Sequence, residues 1–207
     1  TILTRAQILA LQGTDSTALQ RGLNLIAQAA SDGATIVRRL QQLARGSGTS
    51  EMAALDLNTV VQEVVETTQP VWHDHARREG RPVEVRLELM PLPQIVGRAA
   101  ELREVLTNLL LNAVEAMPQG GQLTLRSWSE GKEVCVAVSD TGMGMTPEVQ
   151  RRLFDPFFTT KGARGTGLGL SVSQALIRGH HGTLTAHGEA GCGTTFIIRL
   201  PIDSRAV

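Results

Sequence analysis

The stretch ELREVLTNLLLNAVEAM at residues Glu101–Met117 predicts a long amphipathic helix, and it fixes the interpretation of the rest of the chain. Its apolar residues recur every three or four positions and form a wide stripe that needs a core to pack on. These residues are Leu102, Val105, Leu106, Leu109, Leu110, Ala113, Val114 and Met117. Glu104, Asn108 and Asn112 lie four residues apart and share another face of the same helix.

Asn108 and Asn112 indicate a binding role, because Asn is a weak helix former and two of them occupy one helical face. A carboxamide oxygen is a hard ligand suited to Mg²⁺, which keeps most of its waters and bridges to phosphates. Two solvated polar residues are the alternative.

The segments around this helix predict an α+β two-layer sandwich, because helices and mostly antiparallel strands follow one another in mixed order. Two further helices are predicted at Leu55–His75 and Ser171–Arg178. The predicted strands are VEVRLEL (Val83–Leu89), QLTLRSW and EVCVAVSD joined by the turn SEGK, and GTLTAHG and TTFIIRLP joined by EAGCG.

Residues 1–45 predict a helix, a turn and a second helix whose apolar residues step by four and three. Such a seam is typical of helices that pack on other helices, and two hairpins would make a four-helix bundle. A single amphipathic hairpin packed on its own domain is the alternative. RGSGTS at residues 45–50 predicts a linker. The predicted domains are therefore a helical hairpin at 1–48, which the resemblance described below implies is a partial dimerisation and phosphoacceptor hairpin, and a second domain at 55–202.

Composition excludes several classes of function. The formal net charge of the 207 residues is zero, so no long-range field favours nucleic acid or an anionic membrane. Two cysteines without metal-ligand spacing argue against a disulfide scaffold or a structural zinc site, and favour a reducing compartment. No apolar stretch approaches the roughly 20 residues of a membrane span. We therefore expect a cytoplasmic chain, although the parent protein is compatible with membrane association.

DTGMGM, residues Asp140–Met145, places a carboxylate at the end of an apolar strand. A carboxylate in a pocket is costly unless a group donates a hydrogen bond to it, and the exocyclic amino group of adenine is such a donor. Gly142 and Gly144 would let a planar base approach the backbone. An ordinary tight turn with Asp and Gly is the alternative.

GTGLGLS, residues Gly165–Ser171, leads directly into a predicted helix, where backbone N–H groups bind phosphate. It lacks the Gly-Lys-Ser/Thr of a Walker A loop and the spacing of a Rossmann fingerprint. FDPFFTTK lies between the two glycine-rich turns and holds three of the four Phe, which predicts an anchored but movable segment. A surface loop with a hydrophobic plug is the alternative.

Taken together, these stretches resemble the ATP-binding domain of sensor histidine kinases, within the wider family of gyrase, the Hsp90 chaperones and MutL. ELREVLTNLLLNAVEAM is similar to the family's N box, DTGMGM to its first glycine box, FDPFFTTK to its F box and GTGLGLS to its second glycine box. Four boxes in order are a specific signal, and FFTTK is most similar to nitrogen-regulator-type kinases. The resemblance implies an ATP sandwich with a mixed sheet backed by helices.

The resemblance also implies roles for single residues. Asn112 matches the Mg²⁺ ligand, and Asp140 matches the residue that reads adenine. Asn108 stands where ATP-hydrolysing relatives carry a general-base Glu, which argues for phosphoryl transfer rather than water activation. Asn108 and Lys161 are the predicted catalytic residues, and Lys161 is also a predicted phosphate contact. The other predicted nucleotide contacts are Gly142 and Gly144 of the pocket floor, Gly165, Thr166, Gly167, Leu168 and Gly169 of the phosphate loop, and Thr195 beside the adenine.

The resemblance implies a kinase that uses Mg²⁺ and ATP, dimerises through the hairpin, and passes its phosphoryl group to the receiver domain of a response regulator. The family's acceptor histidine lies on the first hairpin helix, yet no His precedes His73 in this sequence. We therefore expect the acceptor upstream of Thr1. Two alternatives stay open: a nucleotide-dependent switch module without kinase activity, and an ATPase of the gyrase or chaperone type.

Overall fold

The structure is a computed structural model that describes residues 51–79, 82–162 and 165–202, without the side chains of residues 71–79. The predicted hairpin at 1–48 therefore lies outside the described residues, and its boundary and its role in dimerisation stay predictions. The side chains of His73 and His75 lie outside them too.

Four helices and seven strands make up the described part of the chain. The helices are α1 (Leu57–Glu79), α2 (Ala99–Glu115), α3 (Pro147–Arg152) and α4 (Gly169–Gly179). The strands are β1 (Ala53–Leu55), β2 (Val83–Leu89), β3 (Ile95–Gly97), β4 (Gly121–Glu130), β5 (Glu133–Asp140), β6 (Thr183–Glu189) and β7 (Gly193–Pro201).

Five of the strands form one mixed sheet in the order β2-β4-β5-β7-β6. The β2–β4 pair is parallel, and the other three pairs are antiparallel. β2 and β4 are connected through β3 and α2, because parallel neighbours need a crossover connection. The predicted α+β sandwich with a mixed sheet is confirmed.

The apolar stripe of α2 forms the centre of the core. Leu102, Val105, Leu106, Leu109, Leu110 and Ala113 are all at most 1% exposed. They pack with the apolar residues of α1 and with the helix-facing side chains of the sheet, such as Leu123, Val136 and Ile198. α2 is thereby held rigidly over the sheet, and its polar face is fixed relative to the strand ends.

The sequence did not indicate three of the elements. β1 and β3 are three-residue strands that pair with each other, and three residues are too few to show an alternating pattern. The six-residue α3 does carry a local signal. The side chain of Thr146 accepts a hydrogen bond from the N–H of Val149, and Pro147 occupies the first helical turn.

Candidate functional site

Asp140 is the last residue of β5, and the residue is only 6% exposed. Oδ1 accepts hydrogen bonds from the N–H of Gly142 at 2.9 Å and from the N–H of Thr194 at 3.2 Å. Oδ2 accepts none from the residues that the structure describes. Burial raises the pKa of Asp140 above its ordinary value, although the two N–H groups favour the ionised form. A buried carboxylate with one spare acceptor oxygen is suited to reading a hydrogen-bond donor on a ligand.

The glycines of the turn after Asp140 have a structural reason that the sequence did not reveal. A Cβ at Gly142 would overlap the carbonyl oxygen of Ala116, just beyond the end of α2. Gly144 has a φ of 66°, and a Cβ there would overlap the carbonyl oxygen of Glu189. Both glycines let this turn pack on neighbouring backbone, so their role as the floor of a base pocket stays a prediction.

The polar face of α2 carries a chain of side-chain hydrogen bonds. Asn108 Nδ2 donates to Oγ of Ser173 on α4 at 3.0 Å, and Asn112 Nδ2 donates to Oδ1 of Asn108 at 3.4 Å. Oδ1 of Asn112 accepts from Nζ of Lys161 at 2.7 Å, and the same ammonium pairs with the carboxylate of Glu115. The structure therefore brings together three residues that the sequence placed in one site: Asn108, Asn112 and Lys161.

The second glycine-rich turn lies against the same helix. A Cβ at Gly169, the first residue of α4, would lie 2.5 Å from Oδ1 of Asn108. Leu168 is 1% exposed, and its N–H donates to Oγ1 of Thr166 at 3.4 Å. Gly167 has a φ of 64°, and its carbonyl accepts from the N–H of Phe157 at 2.9 Å. The glycines thus bring the start of α4 close to the amides of α2.

The predicted anchoring role of the phenylalanines is only partly correct. Phe154 packs against the core, and the ring of Phe158 lies under the guanidinium of Arg152 at 4.5 Å. Phe157 is 63% exposed, and it has a φ of 68° that is unusual for a residue with a side chain. Phe157 therefore contributes its backbone hydrogen bond to Gly167, while its side chain lies mainly in solvent.

The structure places Thr194, and not Thr195, on the face of the sheet that carries Asp140, and the adenine contact predicted for Thr195 stays a prediction. Consecutive side chains of a strand point to opposite faces of the sheet, and Asp140 pairs directly with Thr194. Thr194 is 6% exposed on the face of Asp140, whereas Oγ1 of Thr195 donates to Oγ of Ser139 at 2.9 Å on the opposite face. Thr194, and not Thr195, is the threonine beside the carboxylate.

Sequence reasoning also missed Glu115, Ser173 and His180. Glu115 follows Asn112 by three residues on α2, which is a usable signal for a shared face. Ser173 carries no such signal. The ring of His180 is fully buried, with Nε2 accepting from the N–H of Arg98 at 2.9 Å and Nδ1 lying 2.8 Å from the carbonyl oxygen of Leu176. These contacts give His180 a structural role.

In the described residues, the structure contains no group of three or more His, Cys, Asp or Glu side chains suited to a metal ion. A metal at this site would therefore depend on Asn112 together with oxygens of the ligand.

The site has the features of one class of protein, the ATP-binding sandwich domains. These features are the polar face of α2, the two glycine-rich turns and the buried aspartate.

Comparison with known proteins gives the same class. Residues 97–204 match the family described as "Histidine kinase-, DNA gyrase B-, and HSP90-like ATPase", and the chain belongs to this family. The resemblance drawn from the four boxes is thereby confirmed.

The chain is similar to named kinases over part of their length. It is 35% identical over 171 residues to the C4-dicarboxylate transport sensor protein DctS of Rhodobacter capsulatus, covering 81% of this chain and 25% of DctS. It is 40% identical over 127 residues to sporulation kinase E of Bacillus subtilis, covering 60% of this chain and 17% of that kinase. The chain thus spans a quarter or less of either relative.

Solved structures support the fold. The catalytic domain of the histidine kinase ThkA, in a nucleotide-free form, has a TM-score of 0.63 at 28% identity and covers 73% of this chain and 95% of that domain. Full-length ShkA in complex with AMPPNP has a TM-score of 0.75 at 25% identity and covers 97% of this chain and 42% of ShkA. No helix in the part of the chain that the structure describes has the length and apolar character to cross a membrane.

Proposed function

We propose that this chain is the Mg²⁺- and ATP-binding catalytic portion of a sensor histidine kinase. It would transfer the γ-phosphoryl group of ATP to a histidine on a helical hairpin, and a receiver-domain Asp of a response regulator would accept it next. The observation that carries the proposal is Asp140, a buried carboxylate with a spare oxygen at the end of a core strand.

The donor sets at the two ends of the site fit the two ends of Mg²⁺–ATP. At one end, Oδ2 of Asp140 is an acceptor for the amino group of adenine, and Thr194 lies beside it. At the other end, Oδ1 of Asn112 already contacts a cationic group, the ammonium of Lys161, at 2.7 Å. A neutral amide oxygen suits Mg²⁺ that keeps waters and shares phosphate oxygens. Bound Mg²⁺ would neutralise charge on the phosphates.

The protein side chains act by positioning and by electrostatics. Asp140 fixes the base and thereby the direction of the phosphates. The first residues of α4 present backbone N–H groups where the second glycine-rich turn meets α2, and such helix starts stabilise anionic oxygens. Lys161 supplies a positive charge for the transferred group.

Asn108 favours transfer to a protein acceptor over hydrolysis. Its Nδ2 already donates to Ser173, and an amide has no basic site that would take a proton from water. A histidine nitrogen is itself a nucleophile and needs no such base. The absence of a carboxylate at this position supports kinase chemistry over the ATPase alternative.

The remaining parts of the proposal concern the whole protein. Dimerisation through the 1–48 hairpin and a cytoplasmic location are proposed from the heptad-type seam and from the absence of a long apolar stretch in the sequence. The histidine kinase ThkA, whose catalytic domain is similar to this chain, has been solved in complex with the response regulator protein TrrA, and this supports a response regulator as the partner.

Radiolabelled ATP tests the proposal. The chain is incubated with Mg²⁺ and a separate His-bearing helical hairpin, and we expect acid-labile, base-stable label on the hairpin and none on the chain itself. Asn112→Ala should abolish the transfer, and Glu148→Gln, on the surface of α3, is the control. Steady hydrolysis of ATP without label on the hairpin would instead support the ATPase. Nucleotide binding without either activity would support the switch module.

A further inference from the structure

The side chain of Lys161 makes two contacts with residues of α2. Its Nζ donates to Oδ1 of Asn112 at 2.7 Å and pairs with the carboxylate of Glu115. Asn112 and Glu115 are three residues apart and therefore neighbours on one helical face. A single ammonium group thus joins the proposed Mg²⁺ ligand to an acidic residue that has no role in the mechanism above.

The hydrogen bonds behind Asn112 fix which end of its amide meets this ammonium. Nδ2 of Asn112 is directed to Oδ1 of Asn108, whose own Nδ2 is held by the buried Ser173. This arrangement leaves Oδ1 of Asn112 as the oxygen that faces Lys161. An ammonium group and Mg²⁺ bound to the same amide oxygen would lie close together and repel each other strongly. The two cations therefore compete for Oδ1 of Asn112.

We propose that Glu115 is a positioning residue that holds Lys161 against Asn112 while nucleotide is absent. Lys161 therefore occupies the side of Asn112 that Mg²⁺ needs, and binding of Mg²⁺–nucleotide displaces it. The displaced ammonium is then available for the phosphate oxygens, which is the catalytic role proposed above. This inference rests on the proposed function for the identity of the competing cation.

The expected size of the effect follows from exposure. The side chains of Lys161 and Glu115 are 42% and 58% exposed, so water and salt screen their attraction. An exposed ion pair of this kind favours the bound position of the Lys161 side chain over the free position only by a small factor. Because Mg²⁺–nucleotide must displace Lys161, the apparent affinity for Mg²⁺–nucleotide is lowered by the same factor. Loss of Glu115 should therefore tighten Mg²⁺–nucleotide binding about two- to five-fold.

A double-mutant cycle separates this effect from simple repulsion between Glu115 and the phosphates. Calorimetry measures the Kd of a non-hydrolysable ATP analogue with Mg²⁺ for the full 207-residue chain. Glu115→Gln should tighten binding in the wild-type background and have no effect in the Lys161→Met background. Equal tightening in both backgrounds, or none in either, overturns the proposal. Glu148→Gln controls for the loss of one surface charge and should leave Kd unchanged.

Limited proteolysis gives a readout that does not depend on nucleotide. Trypsin must take the Lys161 side chain into its own pocket, so the contact with Glu115 should slow cleavage after Lys161. We expect the Glu115→Gln chain to be cut there about two- to five-fold faster than the Glu148→Gln chain, with the product identified by mass spectrometry. Equal rates overturn the inference. If the wild-type chain binds no nucleotide, the proposed function fails, and the cleavage rates still decide whether Glu115 holds Lys161.

Discussion

Replacement of Asp140 by Asn tests how the site reads its ligand. The side chain keeps its size and one acceptor oxygen, which can continue to accept from the N–H groups of Gly142 and Thr194. Nδ2 of the new amide, which is a donor, then takes the place of Oδ2 of the carboxylate, which is an acceptor. A ligand amino group would face this donor instead of an acceptor.

The expected loss of affinity can be worked from these contacts. A hydrogen bond to an ionised carboxylate contributes roughly 1.5–3 kcal/mol, and opposing two donors adds a desolvation cost. We expect Asp140→Asn to weaken ATP binding by about 2–3 kcal/mol, a roughly 30- to 150-fold rise in Kd. Its stability should stay within about 1 kcal/mol of wild type, because the variant no longer buries a charge.

The assay pairs calorimetry for binding with urea unfolding for stability. Asp140→Ala is the matched comparison, because it leaves the N–H groups of Gly142 and Thr194 without their acceptor and should cost about 2–4 kcal/mol of stability. Wild-type affinity for ATP in a folded Asp140→Asn chain would refute the reasoning.

Changes in pH test the same group without a mutation. Burial raises the pKa of Asp140, so the carboxyl takes up a proton at higher pH in the folded chain than in the unfolded chain. ATP affinity should fall as the pH decreases through the raised pKa, because the protonated carboxyl loses its charge. The contribution of Asp140 to stability should change the other way, declining as the pH rises from the ordinary pKa through the raised one. Asp140→Asn should remove both dependences.

Three further variants test other parts of the structure. Gly144→Ala should cost at least about 2 kcal/mol of unfolding free energy, whereas Gly131→Ala, with a φ of 61° but open space around it, should cost about 1 kcal/mol; equal costs would show that overlap with the Glu189 carbonyl is unimportant. His180→Ala should lower stability by about 3 kcal/mol in denaturant, because it opens a cavity and removes the acceptor for the partly buried N–H of Arg98, and labelling of the hairpin by the folded variant should persist. Thr194→Val should weaken ATP binding several-fold in calorimetry while Thr195→Val leaves it unchanged, and the reverse result would support the adenine contact predicted for Thr195.

Regular apolar patterns that extend over long segments made much of the fold predictable. The stripe of α2 requires a core on one side and so fixed the helix to within two residues at each end, Glu101–Met117 predicted against Ala99–Glu115 observed. Alternation located β2, and the turns SEGK and EAGCG separated the strands of the two hairpins. β1 and β3 were not predicted, because a segment of three residues is too short to show an alternating pattern.

The site was predictable in its residue types and less so in its contacts. Asn108, Asn112 and Lys161 were found as a set, but the register that puts Thr194 beside Asp140 depends on strand pairing that a sequence does not show. The same holds for Glu115, whose meeting with Lys161 joins residues 46 apart in the chain. Backbone overlap at Gly142 and Gly144 is likewise a tertiary property.

β5 is hydrogen-bonded on both sides, to β4 and to β7, and Asp140 pairs with residues of both neighbours. Moving the end of β5 that carries the proposed base contact would break hydrogen bonds to both neighbouring strands, whereas releasing Lys161 breaks only exposed side-chain contacts. The proposed phosphate contact of Lys161 therefore opens at a lower cost than the proposed base contact of Asp140. We therefore expect the exchange of ADP for ATP in the proposed kinase to begin at the phosphate end of the site. The backbone around Asp140 should keep its conformation throughout the catalytic cycle.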